Sequence, residues 1–346
     1  MNMAILVTGG AGYIGSHMVW ALLDAGEDVV VIDRLSTGFR WAVAPQARFY
    51  LGDIGDADLL RQVFFENQIE AIIHFAGSIV VPESVSDPLG YYENNTGNTR
   101  NLLSAAVKAG IDKLIFSSTA AVYGTPAAAE PVKESAPLLP ENPYGQSKLM
   151  SELMLRDTAR AHDFRYVALR YFNVAGADPK GRTGQSTDRA THLIKVACET
   201  ALGKRRSVAV YGTDYPTHDG TGVRDYIHVS DLVQAHLRAL AYLRRGEPSL
   251  VANCGYGSGY SVLDVLAAVA RVAGRPFAVE YCPRRAGDAA FIVADSTLAR
   301  QTLGWSPHYA DLDVIVETAL AWEERLEQDA THDIGALRRR LAAGGF

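Results

Sequence analysis

The segment Asn142-Pro143-Tyr144-Gly145-Gln146-Ser147-Lys148 sets a phenol and an ammonium four positions apart. Pro143 suits a first helical turn, where its missing N–H costs nothing. Residues four apart share a helix face, so Tyr144 and Lys148 point the same way. A phenol titrates near ~10 in water and is a weak base at neutral pH. A cation beside it favours the phenolate and brings it toward the working range. The pair therefore reads as a base that takes a proton from a hydroxyl. Thr119, at the end of Ser117-Ser118-Thr119, is a candidate to donate to, or accept from, the same oxygen.

Those side chains need a frame to hold them. Ala4-Ile5-Leu6-Val7 is a short apolar run of the buried-strand type. It leads into Thr8-Gly9-Gly10-Ala11-Gly12-Tyr13-Ile14-Gly15-Ser16 and a helix predicted from His17 to Ala25. Gly10, Gly12 and Gly15 fit the dinucleotide fingerprint; Gly9, Gly12 and Gly15 fit its variant with one more residue between the first two. Such glycines allow a tight turn and a close backbone approach to a pyrophosphate, and the helix start adds free amides and positive dipole. A second strand, Asp28 to Ile32, ends at Asp33. An acid there hydrogen-bonds a ribose diol and repels a 2′-phosphate, which favours NAD over NADP; Arg34 next door weakens that choice.

A third strand, Arg48 to Gly52, ends at Asp53-Ile54, with Asp53 either reaching the adenine edge or capping a helix over Asp56–Glu66. A fourth, Ala71 to Phe75, is followed by Ala76-Gly77, small enough for a cofactor to pass close to the backbone; His74 inside it reads as a core histidine. A helix from about 91 to 109 carries Asn94, Asn95 and Asn98, and a fifth strand runs from Lys113 into Ser117. This alternation predicts an α/β fold, a Rossmann-type doubly wound parallel sheet. Ligands in such sheets sit beyond the carboxyl ends of the strands. Gly9 to Gly15, Asp33, Asp53, Ala76, Thr119 and the Tyr144 helix all fall on that edge. Residues 1–174, with a return near 224–250, are expected to form the NAD-binding domain, and 175–346 mainly a smaller α/β substrate-binding lobe.

Composition narrows the class. A chain of 346 residues can bury a sizeable core. The net charge of -6 argues against a nucleic-acid surface. Cys198, Cys254 and Cys282 lack the spacing of a disulfide framework or a zinc site, so no metal is expected and a reducing, cytoplasmic setting is. The N-terminus has no basic start of a signal peptide, and no run reaches the ~18 apolar residues of a membrane span.

Through Thr8–Gly15, Ser117-Ser118-Thr119-Ala120-Ala121-Val122-Tyr123-Gly124 and Tyr144–Lys148, the chain resembles the extended short-chain dehydrogenase/reductase family. The likeness to that family's sugar-nucleotide epimerases continues through Pro82-Glu83-Ser84-Val85, Arg170-Tyr171-Phe172-Asn173, Tyr215–Val229, Arg284-Arg285-Ala286-Gly287-Asp288 and Leu303-Gly304-Trp305. The resemblance implies NAD held through turnover and a UDP-hexose oxidised at C4. The 4-ketose swings over and is reduced on its other face, which interconverts UDP-glucose and UDP-galactose. Tyr144 would take the 4-hydroxyl proton beside Thr119; Lys148 would bind the nicotinamide ribose and lower the tyrosine's pKa.

The implied cofactor site comprises Gly9, Gly12, Tyr13, Ile14, Gly15, Asp33, Asp53, Ile54, Phe75, Ala76, Gly77, Asn95, Ser117, Tyr144, Lys148 and Tyr171. The implied substrate site comprises Thr119, Tyr144, Asn173, His192, Leu193, Ala209, Tyr211, Arg224, Arg285, Asp288 and Ile292. Tyr211 is expected to lie on the uracil, Arg224 and Arg285 on the diphosphate, and Asp288 on the uridine ribose. The family also forms homodimers through the 91–109 and Tyr144 helices.

Dehydratases of the family carry an Asp-Glu pair after the threonine. Ala120 and Ala121 have no protons to give, which favours epimerisation over elimination. Two positions depart from relatives: Ile79 replaces a lysine near the cofactor, and Ile292 stands where the sugar's 2-substituent is gated. A branched apolar group there is expected to crowd an N-acetyl. The same catalytic set would serve UDP-xylose and UDP-arabinose, and a non-catalytic NAD sensor is the reading from another class.

Overall fold

The structure is a computed structural model that describes residues 3–126, 128–187, 190–285 and 288–342, with side chains described through residue 328. The first half alternates strands and helices: β1 (Ala4–Thr8), α1 (Tyr13–Asp24), β2 (Asp28–Asp33), β3 (Arg48–Leu51), α2 (Ala57–Glu66), β4 (Ile69–His74), α3 (Val81–Ser86), α4 (Pro88–Tyr91), α5 (Asn98–Lys108), β5 (Lys113–Thr119), α6 (Pro143–Ala161) and β6 (Arg165–Tyr171). The second half is more broken: β7 (Asn173–Ala175), α7 (Leu193–Ala201), β8 (Val208–Tyr211), β9 (Val223–His228), α8 (Val229–Arg244), β10 (Leu250–Cys254), β11 (Gly259–Ser261), α9 (Val262–Val272), β12 (Val279–Cys282), β13 (Phe291–Ile292), α10 (Thr297–Leu303) and α11 (Leu312–Ala342).

Seven strands form one parallel sheet in the order β10-β6-β5-β4-β1-β2-β3. The order reverses between β1 and β4, the crevice where such sheets bind ligands. Both faces are covered. Along β1, Ile5 and Val7 join one buried cluster while Ala4 and Leu6 join the other. This period of two is why the strand is apolar throughout rather than alternating.

Helix starts follow from local chemistry. Asp56 caps α2 through the amides of Asp58 and Leu59, and Asn142 caps α6 ahead of Pro143. Ser261 and Asp264 close a capping box on α9.

Several expectations shift. The first helix starts at Tyr13, one turn before His17, because the glycine loop ends directly in it. The helix expected over 91–109 is in pieces. It begins as α4, passes through a π turn at Tyr92–Gly97 and resumes as α5, preceded by α3, which the sequence pattern did not indicate. The final helix, α11, continues through Ala342. The return segment reaches past residue 250, since β10 is the sheet's seventh strand. Ile194, Cys198, Val265 and Val316 of the second half share one buried cluster with Ile5, Val31 and Ile73 of the sheet. The two halves thus share apolar packing rather than each enclosing a separate core. No described helix is long and apolar enough to cross a membrane.

Candidate active site

The cofactor end is built from backbone. Gly9 turns the chain at the end of β1 with φ 72°, and a Cβ there would lie 2.6 Å from the Ala76 amide nitrogen. A Cβ on Gly15 would lie 2.1 Å from the Gly9 carbonyl oxygen, so that glycine is required for loop and helix to touch. Gly12 differs: its Cβ would meet only Gly9 O, at 3.3 Å, leaving its outer side open. Gly12 is the N-cap of α1, makes no side-chain cap, and has no acid in the turn that follows. Free amides facing open space at a helix start are what a pyrophosphate requires, and the loop fits a dinucleotide. Tyr13 and Ile14 form the helix's first turn, and the Tyr13 hydroxyl donates to Gly176 O at 2.6 Å, tying loop to second lobe.

Asp33 closes the β2 end. Its carboxylate accepts from Ala11 N at 2.9 Å and Leu35 N at 2.8 Å, which aims it across the glycine loop. Arg34 is drawn away to Asp53, at 2.9 Å, rather than standing where a 2′-phosphate would lie. Asp53 also accepts from Gly55 N at 2.8 Å and from the Asn98 side chain at 2.9 Å. The helix cap is Asp56, so Asp53 does not cap α2. Ile54 is buried beneath it. A broad polar pocket runs from Arg34 and Asp53 past Ser78 to Asn94 and Asn98.

Beyond β4, Phe75 packs on His236, and Ala76-Gly77 lead to Ser78, whose N–H donates to Asn95 Oδ1 at 2.7 Å. Ile79 is exposed and offers no charge there. His74 is the core histidine expected: its ring bonds Thr8 at 2.6 Å and Thr99 at 2.9 Å, and burial holds it neutral, down at about 3.

The three candidate catalytic residues converge at the end of β5. Tyr144 and Lys148 are buried on one face of α6. Ser117 Oγ donates to the Tyr171 hydroxyl at 2.7 Å, and Thr119 Oγ1 accepts from Ala121 N at 3.1 Å. Burial raises Tyr144 above the ordinary phenol value, and the Thr119 hydroxyl pulls it back only in part. Lys148 is itself lowered to about 8 by burial, against the opposing charge of Glu152. Its ammonium lies 4.4 Å from the centre of the Phe116 ring. Tyr91 and Tyr171 are also raised, mainly by burial.

The second lobe brings its residues to the same edge with looser geometry. Asn173 opens β7 and is exposed. His192 caps α7 by position, and its Nδ1 bonds the Gln185 side chain at 2.7 Å; Leu193 starts the helix. Ala209 and Tyr211 lie on β8. Arg285 sits 3.5 Å over the Tyr211 ring, on a face expected for uracil, so these two groups are stacked on one another. Arg224 faces Asp288 at 3.9 Å and donates to Val223 O at 2.9 Å. Ile292 pairs with Arg224 across β13 and β9 and packs against the apolar cluster that includes Ala120, Val122 and Phe172. Ala286 and Gly287, within the arginine loop, lie outside the described residues.

A family model described as the NAD dependent epimerase/dehydratase family matches residues 5–255. The chain belongs to that family. Among its relatives, the UDP-glucose 4-epimerase of Azospirillum brasilense is 57% identical over 324 residues, 94% of this chain and 93% of that protein. The UDP-glucose 4-epimerase of Lacticaseibacillus casei is 51% identical over 322 residues, 93% of this chain and 97% of that one. The crystal structure of UDP-glucose 4-epimerase from Brucella ovis in complex with NAD superposes with a TM-score of 0.90 at 44% identity, covering 92% of this chain and 98% of that chain. The family's NAD dependence agrees with the open glycine cradle and the fixed Asp33.

Proposed function

We propose that this chain interconverts UDP-glucose and UDP-galactose by transient oxidation at C4 of the sugar. The observation that carries the reading is the meeting of Tyr144, Lys148 and Thr119 at the end of β5, beside the glycine cradle at the end of β1. When bound, NAD supplies a hydride acceptor that returns the hydride later. Tyr144 takes the 4-hydroxyl proton and gives one back. Because burial alone holds its phenol high, the positive charge of Lys148 and of the oxidised nicotinamide must together favour the phenolate. Thr119 orients the sugar oxygen. Ala120 and Ala121 carry no acid or base, so a 4-ketose has no group there to eliminate water and is reduced again.

The cofactor is held by Gly9, Gly12, Gly15, Asp33, Asp53 and the strand-end residues, and the UDP-sugar by Asn173, His192, Leu193, Ala209, Tyr211, Arg224, Arg285, Asp288 and Ile292. Domain roles follow: residues 1–174 with the return serve NAD, and 175–346 mainly the nucleotide sugar. Ile292, a branched apolar group packed against the cluster that includes Phe172, crowds an N-acetyl in this reading, so UDP-N-acetylglucosamine is a poor substrate. Val85, Leu89 and Leu153 expose apolar surface on α3, α4 and α6, which supports a homodimer through these helices. The enzyme acts in the cytoplasm, consistent with its free cysteines. Incubating purified protein with UDP-galactose, without added NAD, tests the reading. UDP-glucose is the expected product, and its absence after NAD is also supplied overturns it.

A further inference from the structure

One turn beyond Lys148 on α6 lies Glu152, a carboxylate with only 5% of its side chain exposed. It belongs to none of the groups that hold cofactor or sugar. Buried charge is costly unless paired, so its partners matter. Arg170 of β6 grips it with two bonds, Nε to Oε1 at 2.9 Å and Nη2 to Oε2 at 2.6 Å. Ser118 of β5 donates to Oε1 at 2.5 Å. Arg170 also donates to the Tyr123 hydroxyl at 3.0 Å, which donates in turn to Asn253 of β10 at 2.7 Å.

The clamp is built next to the reacting groups at each anchor. Ser118 precedes Thr119, Arg170 precedes Tyr171, and Glu152 lies two turns along the face that carries Tyr144 and one turn from Lys148. A bidentate arginine–carboxylate pair fixes orientation as well as distance. We propose that Glu152 is a positioning residue of the reaction: its carboxylate, pinned between Ser118 and Arg170, fixes the α6 face bearing Tyr144 and Lys148 against the strand ends that carry Thr119 and Tyr171.

The surroundings of Lys148 support this. His74 of β4 is held neutral and brings no charge. Phe116 of β5 presents a ring. Tyr144 on the same helix, with Tyr91 of α4 and Tyr171 of β6 near it, are phenols raised by burial. Arg170 spends its charge on Glu152. Burial drives the lysine toward neutrality, and Glu152 is the charge that opposes it.

The inference rests on Tyr144 and Lys148 acting as proposed, and its test reads the lysine directly. In NAD-loaded protein labelled with 13Cε-lysine, the Lys148 signal is identified by its loss in Lys148→Arg and titrated. In Glu152→Gln kcat is expected to fall ~10-fold or more with KM for UDP-galactose held within ~2-fold, and the Lys148 midpoint and the alkaline limb of the kcat profile are expected to move together. Glu152→Asp, which keeps the charge, is expected to restore the midpoint while recovering part of kcat. Should Glu152→Gln not fold, Glu152→Gln/Arg170→Met removes both buried charges together, breaks the same clamp and is read by kcat against KM. A kcat within ~2-fold of wild type in the variant that breaks the clamp, or a fall in kcat matched by a rise in KM with the alkaline limb unmoved, overturns the proposal. Wild-type protein with no epimerase turnover would instead sink the functional reading and leave the titration interpretable.

Discussion

The cofactor side and the sugar side of this site are made differently. On the cofactor side, backbone does the work: a strand ends, three glycines turn, a helix begins, and Asp33 is held by two amides. On the sugar side, long side chains do it. Arg285 lies on Tyr211, Arg224 leans toward Asp288, and Arg284 stacks on Tyr215 at 4.1 Å. The first kind of site is fixed by the fold and waits in one shape. The second has its charged groups occupied with one another, and in the proposed reading it exchanges those contacts for the diphosphate and base. Preorganisation therefore favours holding the cofactor, while the sugar nucleotide can exchange.

The largest expected effect lies at the seam between the two sides. Tyr144→Phe should lower kcat by ~10²- to 10⁴-fold, the range of a positioned acid–base group, and leave the NAD content of the purified protein unchanged. Both quantities come from one preparation, by turnover of UDP-galactose and by NAD released on denaturation. Loss of NAD in this variant would erase the distinction drawn above. Next in size, Arg285→Ala and Arg224→Ala each remove a charged partner of phosphate worth ~1.5–3 kcal/mol. Steady-state kinetics should show KM for UDP-galactose rising ~10- to 100-fold, with kcat and NAD content near wild type.

Gly12→Ala probes the other side with a smaller effect. Its new methyl meets only one backbone oxygen, at 3.3 Å, so the protein should fold and melt near the wild-type temperature. NAD, however, has to approach that surface, and calorimetric titration should show affinity falling ~10-fold, about one charge-assisted hydrogen bond. Gly15→Ala sharpens the contrast, because its methyl would lie 2.1 Å from Gly9 O and should cost folding itself.

The smallest effect is spread over both sides. Burial lowers His74 and His228 to about 3 and His17 and His236 to about 4, from an ordinary 6.5. Unfolded histidines take up protons below that ordinary value, and the folded ones refuse them. Their contribution to stability is therefore full above about 6.5 and is lost as pH falls from there toward 4 and 3. Thermal melts should show the melting temperature dropping between pH 7 and pH 5, and His74→Gln should make that drop shallower.

What reads directly from sequence is what local rules control. The apolar run Ala4–Val7, the glycines after it and Asp33 at the next strand end are separated by fewer than thirty positions, and each follows from strand period, turn sterics or dipole. Where local rules were mixed, the reading slipped. The Asn-rich stretch has helical character but breaks into a π turn, because Asn95 spends its side chain on Ser78 and Ser147 and its carbonyl on Thr99 and Ser151. Glu152 and Arg170 look like ordinary polar residues of a helix and a strand, and nothing in their spacing announces a buried pair.

The order of residues alone thus determined the parallel sheet, the dinucleotide loop and the presence of a tyrosine–lysine face, since all three are set by repeats of two to four residues. Only the folded chain decided that Ile292 packs against the cluster holding the turn after Thr119, that β10 returns to the sheet's edge, that Arg285 covers Tyr211, and that Glu152 is pinned between Ser118 and Arg170. Spacing places a cation near a phenol, but how much water both lose depends on everything packed around them, and burial raises Tyr144 while lowering Lys148.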